Sequence, residues 1–149
     1  MDMDAPDSLE YEDRWYKERR QEVIEYLDGA KLTRGAVGDE PAWSLAPHIS
    51  IWAVESAKAP GWVGWWVVCG DCPTDYVTCD GDRTPRTALR RFASRWREAA
   101  TLLAQGKQHA EFTVGNPNDA RNLSPILAAR AEVLSAIADD DDAWRDLVI

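Results

Sequence analysis

Apolar residues recur along this chain at two periods, and each change of period marks an element. Tyr16, Val23 and Leu27 lie on one helical stripe, and Asp7 with Glu10 has capping-box spacing, Asp standing in for Ser or Thr. These features predict a helix over about residues 9–28, stopped by Gly29. Arg14, Lys17, Arg19 and Arg20 alternate with Glu12, Glu18 and Glu22 on its solvated side. From Lys31 to Pro47 the periodicity dissolves, which reads as a connecting segment anchored by Trp43 and Leu45.

The pattern then shortens to that of strands. Ile49–Ser56 and Trp62–Cys69 are rich in β-favouring residues, and Pro60-Gly61 between them suits the two central positions of a type II turn. In the second strand Trp62, Gly64, Trp66 and Val68 share one face and Val63, Trp65, Val67 and Cys69 the other. Two apolar faces predict a central strand covered on both sides, or one left with an exposed sticky face. Gly64 among large rings allows a neighbour to approach closely. A Gly70–Thr74 loop leads to a short third strand, Asp75–Cys79, closed by a turn at Asp80-Gly81-Asp82.

Helical spacing returns after Thr84-Pro85, a cap followed by a first-turn proline, with Leu89, Phe92, Ala93, Trp96, Ala100 and Leu103 in one stripe. This helix is expected to run over about 85–105, stop at Gly106 and press Phe92 and Trp96 onto the sheet. Residues 107–123 read as a loop with a short extended piece at Glu111–Val114. Ser124-Pro125 repeats the cap-and-proline start, and Leu127, Ala131, Leu134 and Ala138 mark a helix over about 125–138. Asp139–Asp142 opposes a helix carboxyl end and so belongs to a break, after which Trp144, Leu147 and Val148 dock back in a last turn.

The predicted fold is therefore α+β, a small antiparallel sheet of three or four strands over about residues 49–79 packed by these three helices. The 149 residues suit a single domain. Twenty-six acidic against seventeen basic residues leave a net charge of −9. Such a surface disfavours nucleic acid and favours a basic protein partner. Met1–Leu9 lacks a signal-peptide profile and no apolar run reaches membrane-spanning length, so a cytoplasmic protein without a membrane partner is expected. The three cysteines, clustered within residues 69–79, fit reduced thiols.

Candidate chemistry is sparse. Cys69-Gly70-Asp71-Cys72 has redox spacing, but no helix starts at Cys69 to lower its pKa. Three Cys with His48 or His109 make a poor zinc pattern, and neither a metal nor another cofactor is expected. Asp71, Asp75, Asp80 and Asp82 could gather as an acid/base group, although loop carboxylates more often form turns. Arg83, Arg86, Arg90, Arg91, Arg95 and Arg97 form a basic island. These guanidiniums either pair with the aspartates of residues 71–82 or form an anion or acidic-partner site.

The stretches PAWSLAPHISIWAVES, GWVGWWVVCGDCPTDYV and PRTALRRFASRW resemble the domain of unknown function 4826 family over about residues 13–105. The most specific part is Gly64-Trp65-Trp66 leading to Gly70-Asp71 and Pro73-Thr74-Asp75-Tyr76, with Pro85-Arg86 behind. In the family pattern G-D-x-P-T-D-Y, Cys72 occupies the free position, which weakens the redox reading. The resemblance implies a bacterial, one-domain α+β protein and brings no activity. The tail after Gly106 lies outside it.

Eight tryptophans on an acidic chain with no recognisable nucleophile favour a non-catalytic protein-binding module, immunity- or adaptor-like. Its expected binding residues are Trp65, Trp66, Asp71, Asp75, Tyr76, Arg86 and Arg90. The alternative is a small-ligand binder or hydrolase-like enzyme with a polar site at Asp71, Asp75, Tyr76 and Arg86. A homodimer built on an uncovered sheet face is a third arrangement.

Overall fold

The computed structural model describes residues 9–79, 84–107, 109 and 120–145. In chain order the elements are α1 (Leu9–Gly29), β1 (Arg34–Val37), β2 (Trp43–Leu45), β3 (Ile49–Ser56), β4 (Val63–Gly70), β5 (Cys72–Thr78), α2 (Pro85–Ala104) and α3 (Ala120–Asp139). A 3₁₀ turn, Asp141–Trp144, follows α3. The fold is α+β, as the periodicities predict. The chain forms two compact units that meet in sequence at Pro85 and Arg86.

In the first unit every strand pairing is antiparallel, in the order β1-β3-β4-β5, with β2 also on β3. The sheet starts earlier than expected, because the supposed connecting segment supplies β1 and β2. Each is too short to display an alternation. They are ordered by the edge of β3, and bonds from Gly38 N to Ala53 O (3.0 Å) and Ala42 N to Ile51 O (2.8 Å) extend the pairing. Trp43 is a buried anchor, whereas Leu45 is 42% exposed and anchors nothing.

The β3–β4 hairpin turns as its sequence requires. Gly61 has φ +88°, and Trp62 N donates to Ala59 O at 3.1 Å, closing Ala59–Trp62 in type II geometry. β4 is central, and Trp66, Val67, Val68 and Cys69, which point alternately to its two faces, are all buried. A Cβ on Gly64 would lie 2.8 Å from Ser56 Cα, the close approach its position suggested. β5 begins at Cys72 and not after a five-residue loop, because Gly70 at φ +132° reverses the chain at once. Pro73 is tolerated there because β5 is an edge strand.

On one sheet face Trp52, Val54, Val67 and Cys69 pack with Val23 and Leu27 of α1, and Tyr16, Tyr26, Trp65 and Tyr76 close around them. The predicted stripe of α1 is thus its buried face. Gly29 is still helical, and the stop falls at Lys31, φ +58°, with Leu32 N bonded to Leu27 O and Lys31 N to Asp28 O. That pair of bonds is a Schellman closure in which lysine holds the left-handed position usually given to glycine. Arg20 is not merely solvated: its Nε and Nη2 donate to the carbonyls of Gly38 and Val37.

In the second unit α2 ends in the same closure, here with Gly106 at φ +74° and Lys107 N bonded to Leu102 O. Leu89, Phe92, Ala93, Trp96, Ala100 and Leu103 are buried, as are Leu127, Ala131, Leu134 and Ala138 of α3. α3 starts at Ala120, earlier than its proline suggested. Ser124 does not cap it, because its hydroxyl donates across to Ala100 O of α2 at 2.7 Å. The acidic break is real: Asp140 caps the 3₁₀ turn by accepting from Asp142 N, and Trp144 returns to bond Ile137 O. The predicted features at Asp7, Asp80–Asp82, Glu111–Val114, Leu147 and Val148 lie outside the described residues.

Candidate functional site

Strand alternation separates the residues singled out on β4 and β5. Val67 pairs with Tyr76 and Val68 with Asp75, so Tyr76 and Trp65 share the α1 face while Asp75 and Trp66 point to the opposite one. Tyr76 packs edge-on to Tyr26, with ring centroids 6.0 Å apart. Asp75 is buried, and its Oδ1 accepts from Tyr76 N at 2.8 Å. Trp66 is buried and Trp65 half-buried. Asp71 is exposed at the β4–β5 reversal, its Oδ2 3.4 Å from His48 Nδ1.

Arg86 and Arg90 act in the second unit, at the end of α3. Arg86 Nε donates to Ala138 O (2.7 Å) and its Nη2 to Asp141 (2.6 Å), with the guanidinium 5.9 Å from the centre of the Trp144 ring. Arg90 Nη2 reaches the same Ala138 carbonyl and lies 3.5 Å from Asp139. Arg97 pairs with Glu132. Arg86 and Arg90 thus sit at the carboxyl end of α3, where cations are favourable, and the acids bonded by Arg86, Arg90 and Arg97 are Asp141, Asp139 and Glu132. Arg83, Asp80 and Asp82 are outside the described residues.

None of Cys69, Cys72 and Cys79 is in a disulfide. Burial pushes the Cys69 thiol up to about 11, against the weaker lowering effect of Ser50 beside it. Such a thiol is protonated at neutral pH and a poor nucleophile. Among the described residues no group of three or more His, Cys, Asp or Glu is placed to hold a metal ion. Among them, too, no helix is long and apolar enough to cross a membrane.

The exposed indole is one that the sequence left unassigned to a site. Trp62 is 65% exposed because it is the last residue of the type II turn, one position ahead of β4. It borders an open cleft of about 330 Å³ lined also by Ala36, Gly38, Asp39, Ala53 and Glu55. Glu55 is held in place: its Oε2 accepts from Gly61 N at 3.1 Å, and a Cβ on Gly35 would come within 2.9 Å of Glu55 Cβ. Arg20 supports the Gly38 side of the cleft and lies 3.8 Å from Asp39. The signal for Trp62 was its position directly after Pro60-Gly61. Glu55 gave no signal, because its neighbours come from β1 and the turn.

No curated protein and no solved structure matches this chain. A family model does match, and it reaches past the residues 13–105 of the resemblance to take in α3 and the 3₁₀ turn. With residues 10–144 matched, the chain belongs to the family described as Domain of unknown function (DUF4826).

Proposed function

We propose that this protein is a non-catalytic protein-binding module, immunity- or adaptor-like, that engages a basic protein through the acidic cleft beside Trp62. The observation that carries the reading is the exposure of Trp62, 65%, at the mouth of a cleft that also presents Asp39 and Glu55. Exposed tryptophans concentrate binding energy at interfaces, and an acidic rim speeds encounter with a basic partner. The chain's net charge of −9 acts in the same direction. Trp65 and Trp66 then serve the core, and Arg86 and Arg90 the end of α3.

The test is co-purification from the host cell with wild-type and Trp62→Ala chains, followed by reassociation of the purified components. The expected result is a basic protein that binds wild type and is at least about tenfold weaker against Trp62→Ala, a hot-spot loss. A chain that repeatedly returns alone, or a partner indifferent to Trp62, overturns the reading.

A further inference from the structure

The carboxylates of the cleft are not equivalent. Asp39 has Arg20 at 3.8 Å, and Arg20 is itself anchored on the Val37 and Gly38 carbonyls. Glu55 has no ion-pair partner among the described residues, and the hydrogen bond it receives is the neutral one from Gly61 N. A half-buried carboxylate fixed by a backbone N–H and by close packing against Gly35 keeps its position without a cation. It is a preorganised negative charge with unused acceptor capacity. Around it the lining is small and apolar at Ala36, Gly38 and Ala53, and one side is the Trp62 indole.

We infer that this cleft receives a single lysine or arginine side chain of the partner, with Glu55 as counter-ion and the Trp62 ring against the stem or the cationic head. The inference rests on the protein-binding reading and specifies the chemistry it uses. A long aliphatic stem suits the small apolar lining, and the cation at its end pairs with Glu55. An indole face attracts the same cation. A purely apolar side chain would cover Glu55 without pairing it, and an anionic one would be repelled.

The experiment is a titration of the full chain with hexalysine and hexaarginine peptides, and with hexaglutamate as control, followed by ¹H–¹⁵N NMR. Trp62 is assigned from the indole signal absent in Trp62→Phe. The basic peptides are expected to shift the Trp62 indole and the Gly61 amide, and hexaglutamate to shift neither. Glu55→Gln keeps an oxygen for Gly61 N, so its thermal melt should stay at the wild-type value while affinity falls at least about tenfold. Asp39→Asn should weaken binding less, because Asp39 already has Arg20. Shifts spread along acidic α1 that bypass Trp62, or equal affinity of Glu55→Gln and wild type, overturn the inference.

The two proposals fail in different ways. A natural partner lost with Trp62→Ala but kept with Glu55→Gln overturns the cation site and leaves the binding module. Basic peptides that depend on Glu55, in a chain that returns alone from its host, support the cation site and overturn the module.

Discussion

Arg86 and Asp141 are joined at 2.6 Å, and the same guanidinium donates to the Ala138 carbonyl, so one side chain closes the end of α3 and holds the turn that follows. Arg86→Met removes both bonds and the cation at the helix carboxyl end, and should cost about 1–2 kcal/mol in urea unfolding. Arg86 bonding to Asp141, its adjacent charge and a smaller effect of Arg90 hold the Asp141 carboxyl below its ordinary 3.8. A lowered folded-state pKa gives stability that is present above the unfolded value and lost as pH falls through the folded one. The stability difference between wild type and Asp141→Asn should therefore be full above pH 3.8 and vanish on acidification.

Cys69 should resist iodoacetamide in the folded protein at pH 8, while the less buried Cys72 and Cys79 are alkylated first, as peptide mapping would show. Its thiol remains protonated in the fold from the ordinary 9.0 up to about 11, where the unfolded chain ionises. This contribution is complete below the lower value and is lost as pH climbs through the window. A folded-state Cys69 that alkylates fastest of the three would contradict the burial argument.

Trp52 Nε1 donates to Ser50 Oγ at 2.8 Å in a site where both residues are fully buried. Ser50→Ala leaves that indole N–H without its acceptor and should cost about 1–3 kcal/mol. In the Trp52→Phe background the orphaned donor is gone, so the serine substitution should cost less there. A double-mutant cycle by chemical denaturation reads the difference.

Glycine and lysine exchange their usual roles at the end of α1. Lys31→Gly relieves a left-handed residue and should stabilise by about 1 kcal/mol. Gly29→Ala, with nothing within 4 Å of the added methyl, should stabilise by about 0.4–1 kcal/mol. Gly64→Ala places a methyl 2.8 Å from Ser56 Cα and should cost about 1–3 kcal/mol by overpacking. Gly70→Ala should be at least as damaging, because the added atom meets the His48 carbonyl and φ is +132°. Thermal melts of the four variants rank these effects.

What could be read directly from the residues was local. The stripes of α1, α2 and α3, the β3–β4 hairpin, its type II turn and the close approach at Gly64 depend on residues a few positions apart, whose side-chain geometry sets the backbone. Other features depended on which distant segment crosses which. β1 and β2 exist because β3 offers an edge, and Lys31 takes the left-handed position although Gly29 stands two residues away. Arg86 chose Asp141, far along the chain. Eight tryptophans announced a binding surface, yet the fold buried Trp15, Trp43, Trp52, Trp66, Trp96 and Trp144 and left Trp62 exposed beside Glu55. Composition supplies apolar area, and only the packed structure decides which of it meets water.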